Sequence, residues 1–229
     1  MRKITIAIDG YSSTGKSTIS KRLANALGYV FIDTGAMYRA VTFFALEKGL
    51  IANGEVKIND LVNALSEIQL KFVPNPSLGK SEMFLNGENV ETEIRKMEVS
   101  ENVSQVAVIK EVREKLVALQ QQMGKDKGIV MDGRDIGTVV FPEAELKIFM
   151  TASPETRAHR RYKELLDRGE EVVYDEVLKN VQERDHIDST REISPLRKAE
   201  DAIEFDNSDI GLEEQFERVH NYTLRVINS

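Results

Sequence analysis

The 229 residues are 41% hydrophobic with a net charge of −7, a globular composition whose acidic balance argues against a general nucleic-acid or membrane-surface binder. No cysteine is present, which excludes a disulfide framework and a thiolate metal site. Arg2 and Lys3 precede only a five-residue apolar run, and no stretch approaches a membrane span, so a cytoplasmic protein without a secretory leader is expected.

Residues 4–8 form a short β-branched run and read as a buried strand. The run enters Gly10-Tyr-Ser-Ser-Thr-Gly-Lys-Ser-Thr18, which has the G-x-x-x-x-G-K-[ST] spacing of a phosphate-binding P-loop. Ile19, Leu23, Ala26 and Leu27 follow at helical spacing, so strand, glycine-bearing loop and helix are all in place. Gly10 and Gly15 let the backbone approach a polyphosphate without a Cβ in the way. Backbone N–H groups along Ser12, Ser13, Thr14 and Gly15, and those at the helix start through Thr18, are expected to face the anion. Lys16 is expected to reach the β- and γ-phosphates, and the Ser17 hydroxyl to meet Mg²⁺.

Gly28 ends the first helix, and 29–32 reads as a second strand. The strand runs into Asp33-Thr-Gly-Ala-Met-Tyr-Arg39, with Thr34 as a candidate helix cap and Tyr38 and Arg39 in the first turns. Spacing alone reads Arg39 as a solvated helix charge and Tyr38 as a core aromatic. Gly49 closes the helix and Asn53-Gly54 marks a turn. Residues 68–92 then change texture. Alternating runs, a break at Pro74-Asn-Pro76 and a hairpin signal at Asn86-Gly87 predict a small antiparallel sheet, suited to act as a flap. Residues 97–123 lack glycine and proline and predict one long helix with Ser104 and Arg113 on one side.

Residues 128–131 form another apolar strand, which delivers Asp132-Gly-Arg-Asp-Ile-Gly-Thr138 to its C-terminal end. Asp132, Arg134 and Asp135 beside two glycines suit phosphate or sugar recognition and a charge near a metal's water shell; a local Asp–Arg turn is the plain alternative. Residues 146–150 read as a strand, Ser153-Pro154 as a helix start, and Arg157, His159, Arg160, Arg161 and Arg168 as a basic helical cluster. A further helix over 174–191 puts Arg184, Asp188 and Arg191 on one face, as a phosphate-and-base surface or as an exposed ion pair. A last strand over 202–205 and an amphipathic helix over 212–226 close the chain. Five parallel strands with helices between them predict a doubly wound α/β sheet.

In this order the P-loop, Asp33-Thr-Gly-Ala-Met-Tyr-Arg39, Ser104-Gln-Val-Ala107, Asp132-Gly-Arg-Asp-Ile-Gly-Thr-Val-Val-Phe-Pro142, Arg157-Ala-His-Arg-Arg161 and Glu183-Arg-Asp185 resemble the bacterial cytidylate kinases, from residue 4 to the last helix. The DGRDxGTVVFP stretch is the specific element; the P-loop alone is shared far more widely. The resemblance implies MgATP-dependent phosphorylation of CMP and dCMP by a monomer that takes no nucleic acid and no membrane. It implies one kinase unit over 1–229: a core of 1–33, 98–150 and 170–229, a monophosphate-binding region over 34–97 with the insert at about 68–92, and a short helical lid at about 151–169. It further implies monophosphate contacts from Thr34, Tyr38 and Arg39, a cytosine contact from Ser104, and a base or phosphate contact from Arg113. Asp132 falls in the same substrate-binding stretch. Arg134 and Asp135 match a phosphate- and sugar-binding pair, Arg184 and Arg191 phosphate arginines, Asp188 a sugar-binding carboxylate, and Arg157 and Arg161 ATP-side lid arginines. The chain departs from the family at Tyr11, where proline is usual, and at Ser13 and Thr14, where small residues are frequent. Two other readings fit a P-loop: a small-molecule kinase with Asp33 or Asp132 as the base for an alcohol acceptor, and a nucleotide-hydrolysing switch.

Overall fold

In chain order the strands are β1 (Thr5–Gly10), β2 (Val30–Asp33), β3 (Ile51–Ala52), β4 (Glu55–Val56), β5 (Leu70–Asn75), β6 (Lys80–Leu85), β7 (Glu88–Asn89), β8 (Ile129–Gly133), β9 (Leu146–Thr151) and β10 (Ile203–Asp206). The helices are α1 (Lys16–Leu27), α2 (Thr34–Glu47), α3 (Ile58–Ala64), α4 (Met97–Ala107), α5 (Lys110–Met123), α6 (Pro154–Asp167), α7 (Tyr174–Thr190) and α8 (Leu212–Asn228). This is a computed structural model, and it describes residues 2–75, 77 and 80–229. The chain divides into two compact units, one of residues up to Asp33 with Gln120–Ser229, the other of Thr34–Leu119.

The first unit holds a five-stranded, all-parallel sheet in the order β10-β9-β1-β8-β2, with helices between the strands. The predicted α/β class and all five predicted parallel strands are therefore present. β1 is central and buried along its whole length, as its apolar run requires. Side chains alternate across a strand, so Ile4, Ile6 and Ile8 enter one face, packed with Ile19 and Leu23 of α1, Met150 of β9 and Val219 and Ile227 of α8. Thr5, Ala7 and Asp9 point to the other face. Each fully buried aliphatic side chain contributes about 1.5–3 kcal/mol, so this cluster anchors the strand that launches the P-loop. Gly28 ends α1 in the left-handed conformation (φ 66°), donating its N–H to Ala24 O and Asn25 O. Ser153 caps α6: its Oγ accepts from Thr156 N at 3.2 Å, with Pro154 next in line.

In the second unit, α2 begins at Thr34 itself, so Thr34 belongs to the first turn and does not precede it. Asn53 and Gly54 (φ 52° and 75°) join β3 to β4, and Asn86 and Gly87 (φ 51° and 89°) join β6 to β7, the left-handed pairs that tight hairpins need. The predicted antiparallel insert is the sheet β5-β6-β7. Pro74 does not break its strand, contrary to expectation: it pairs with Ser81 inside β5. β5 is an edge strand, where a missing N–H costs nothing. Pro76 lies outside the described residues.

The single helix expected over 97–123 is two helices, and Ser104 on α4 and Arg113 on α5 do not share one helical face. The chain turns at Val108-Ile109, both β-branched and weakly helix-forming. The turn frees the Ala107 carbonyl, which then accepts from Arg113 Nη1 at 3.1 Å.

Candidate active site

The P-loop leaves the C-terminal end of β1 at Gly10, whose φ is 144°. A Cβ there would sit 2.0 Å from Met150 O of the neighbouring strand, so the glycine is required by β9 before any ligand is considered. Ser13 (φ 58°) and Gly15 (φ 88°) are also left-handed, and the alternation turns successive N–H groups to one side, the geometry of an anion nest. Gly15 O receives Thr18 N and Ile19 N, which starts α1. Among the described residues, Ser12 Oγ is buried with no protein partner.

Lys16 is buried and donates from Nζ to Tyr11 O at 2.5 Å and to Thr14 Oγ1 at 3.3 Å. Burial, then the nearby Arg134 charge, pull its ammonium down from 10.5 to about 7, against the attraction of Asp132, Asp9 and Asp33. A cation held this way gains from any polyanion brought to the loop. Ser17, one residue on, donates its hydroxyl to Asp132 Oδ2 at 2.5 Å, joining α1 to the C-terminal end of β8.

Three side chains brace the loop from behind. Asn207, fully buried after β10, donates Nδ2 to Thr14 O at 2.7 Å and to Gln215 Oε1 at 2.9 Å. Arg160 donates Nη1 to Asn207 Oδ1 at 3.0 Å and to Thr14 O at 3.3 Å. Arg157 donates Nε to Ala152 O (2.9 Å) and Nη1 to Ser12 O (3.3 Å), and pairs with both carboxylate oxygens of Asp185 at 3.0 and 2.6 Å. Its guanidinium also lies over the Tyr11 ring at 5.1 Å, while Tyr11 meets Phe149 edge-on at 6.1 Å. Tyr11 is thus held on two sides.

A second group of charges gathers at the end of β8 and on α7. Arg134 donates Nε to Asp188 Oδ2 at 2.9 Å; Arg191 lies 3.8 Å from Asp188 Oδ1 and 3.9 Å from Asp135 Oδ1. Burial alone would raise the Asp188 carboxyl, but Arg134, Arg184 and Arg191 outweigh it and hold the group below the ordinary carboxylate range. Leu196 N also bonds Asp188 O, which ties the following loop to the end of α7. Asp135 begins a π-helical turn over Ile136–Val140, and Asp135 O accepts Val139 N and Val140 N. Asp9 Oδ1 and Oδ2 accept Ile136 N at 2.8 Å and Gly137 N at 2.7 Å.

The second unit carries the other predicted contacts. Thr34, Tyr38 and Arg39 lie on the first turns of α2, and Ser104 lies on α4, which packs against α2. Arg113 sits with its guanidinium carbon 5.5 Å from the centre of the Tyr38 ring. Thr34, Tyr38, Ser104 and Arg113 are all buried, so Tyr38 does contribute to the core.

The family model for cytidylate kinase matches residues 6–225. The chain belongs to the cytidylate kinase family. It is 64% identical to a cytidylate kinase of Flavobacterium psychrophilum over 219 residues, which cover 96% of this chain and 97% of that one. A Flavobacterium johnsoniae cytidylate kinase is 62% identical over all of this chain and 97% of its own, and one from Bacteroides thetaiotaomicron is 55% identical over 99% of each.

Within this cytidylate kinase fold, Lys16, Ser17, Asp132, Arg134, Asp135, Arg184, Asp188 and Arg191 come together in the first unit. Of the two arginines expected on the ATP side, Arg157 turns into the back of the P-loop, and Arg161 pairs with Glu164 on its own helix at 3.0 Å. Sequence reading passes over Asp9 and Asn207 and notes Arg160 only as part of a basic run. A polar residue next to the glycine of a P-loop strand is the one available signal for Asp9. Asn207 has none, because its partners lie on residues 14 and 215.

Proposed function

We propose that the chain transfers the γ-phosphoryl group of ATP to the 5′-phosphate of CMP or dCMP, giving ADP and CDP or dCDP. The observation that carries this reading is the convergence of Lys16, Arg134, Arg184 and Arg191 around one buried carboxylate cluster beside the P-loop, in a chain of the cytidylate kinase family. The acceptor phosphate is already an anion, so the reaction needs no strong general base. It needs in-line positioning and neutralisation of charge on several phosphate oxygens.

Gly10, Ser12, Ser13, Thr14, Gly15, Ser17 and Thr18 supply backbone and hydroxyl groups to the donor phosphates, and Lys16 provides the charge on the transferred group. Arg134, Arg184 and Arg191 hold the acceptor phosphate, while Asp135 and Asp188 bind the sugar. Thr34, Tyr38 and Arg39 contact the monophosphate, and Ser104 and Arg113 the cytosine side. Arg161 acts as a mobile lid cation over about 151–169. Arg157 acts on the donor through the P-loop carbonyl it holds.

Mg²⁺ fits the donor set. The Ser17 hydroxyl and the Asp132 carboxylate are hard oxygen donors 2.5 Å apart, and no group of three or more Asp, Glu, His or Cys that could cage a metal is present among the described residues. Ser17 and Asp132 would hold Mg²⁺ there, and the ion would supply positive charge beside the donor phosphates. The enzyme is read as a cytoplasmic monomer acting on small nucleotides, with no nucleic-acid or membrane partner. Among the described residues no helix is long and apolar enough to cross a membrane. A coupled assay of ADP release with CMP, dCMP, UMP, AMP and shikimate tests the reading; release that needs no acceptor, or that favours shikimate, overturns it.

A further inference from the structure

Asp9 is a buried carboxylate that the proposed chemistry does not use. It points away from the Ile4–Ile6–Ile8 face of β1, and its two oxygens take the N–H groups of Ile136 and Gly137, the first two residues of the turn that follows Arg134 and Asp135. An acidic side chain placed at the start of a helical turn caps it and satisfies donors that have no partner within the turn. Here the cap comes from another strand, 127 residues away in sequence. Space around the contact is closed. A Cβ on Gly137 would lie 3.3 Å from Asp9 Oδ2 and 3.1 Å from Lys147 Cδ. Lys147 spends its ammonium on Pro142 O and Asp201, which pins the far end of the same loop.

We propose that Asp9 is a positioning residue for the acceptor nucleotide: through Ile136 N and Gly137 N its carboxylate fixes the arm that presents Arg134 and Asp135. This deepens the proposed function and rests on it. The charges facing Asp9 are Lys16 from α1 and Asp135 from the turn, with the Lys147 stem across Gly137 from β9. Burial pushes the Asp9 carboxyl up to about 6, so its second acceptor oxygen is lost as pH falls through that value. A protonated Asp9 accepts one N–H and turns a hydroxyl toward the other.

The test compares the full-length parent with Asp9→Asn and Gly137→Ala, measuring kcat/KM for CMP and for ATP from pH 5.5 to 8. Asp9→Asn is expected to lower kcat/KM for CMP roughly 10- to 100-fold at pH 8, mostly through KM, with the value for ATP changing far less. The parent-to-variant ratio for CMP then falls toward unity as pH drops through about 6, and titration of the CMP phosphate cancels in that ratio. Equal losses for CMP and ATP, or a ratio that stays flat with pH, overturns the proposal. If Asp9→Asn does not fold, Gly137→Ala carries the test: a loss selective for CMP supports the positioning role, and an equal loss or none overturns it. A folded parent that phosphorylates no nucleoside monophosphate contradicts the proposed function instead, before any variant is compared.

Discussion

Arg157 and Asp185 form a two-pronged ion pair, with Nη1 to Oδ1 at 3.0 Å and Nη2 to Oδ2 at 2.6 Å, that joins α6 to α7 behind the P-loop. The same guanidinium bonds Ser12 O and Ala152 O, so it is engaged on three elements at once. Removing one partner of a buried pair leaves the other charge stranded, at a cost of about 3–5 kcal/mol. Arg157→Ala is therefore expected to lower the denaturation midpoint and raise KM for ATP more than KM for CMP. Arg157→Lys restores charge but not the fork, and recovers little. Equilibrium unfolding and paired KM measurements check this. An Arg157→Ala protein of parent stability but with no activity would mean that Arg157 touches phosphate directly.

Ser17 and Asp132 make a second close pair, at 2.5 Å, and both are proposed to meet Mg²⁺. Ser17→Ala and Asp132→Asn are expected to raise the Mg²⁺ concentration that gives half-maximal rate by about 10- to 100-fold. The fold should survive, as read by circular dichroism. A Mg²⁺ titration of the rate decides the matter, since a mere packing role would leave that curve in place.

Lys16→Ala and Arg134→Ala are expected to lower kcat by at least about 10²- to 10³-fold, the scale for losing a donor aimed at developing charge. Neither should unfold the protein. Lys16 is buried, and its depressed pKa of about 7 marks it as a residue the ligand-free fold keeps at a cost. A near-parent rate in either variant, measured by single turnover, contradicts the assigned roles.

The buried carboxylates predict opposite pH behaviour. Asp9 is raised from 3.8 to about 6, so its favourable contribution is complete below about pH 4 and is lost as pH rises through 6. Relative to Asp9→Asn, the parent should lose about 3 kcal/mol of stability between pH 4 and 7.5. Asp188 is held low by three arginines, so its contribution is present at neutral pH and persists until strong acid, below the ordinary carboxylate range. Asp188→Asn should lack that stabilisation throughout. Denaturant melts of the parent and both variants at several pH values separate the two signs.

Much of the fold is legible because it follows period and punctuation. Apolar runs of strand length, glycines at helix ends and two Asn-Gly pairs fall where the five-stranded sheet and the hairpins occur. The motif residues Lys16, Ser17, Asp132 and Arg134 are legible because a strand end is a fixed place. The helix break at Val108-Ile109 is not, because it depends on a side chain four positions on, Arg113, that returns to cap Ala107. Asp9 and Asn207, and the backbone contacts of Arg157, escape notice for a related reason. Each side chain bonds backbone groups of a distant segment, and such bonds leave no spacing in the sequence. Pro74 misleads because an edge strand tolerates proline, and the strand runs one residue further, to Asn75.

Initial rates with ATP and each of CMP, dCMP, UMP, AMP and GMP probe most directly whether this cation cluster serves a cytidine acceptor. CMP and dCMP should give the highest kcat/KM, with ADP formed one for one with the nucleoside diphosphate. A purine monophosphate or UMP turning over faster than CMP, or ADP formed without a phosphorylated acceptor, would contradict it.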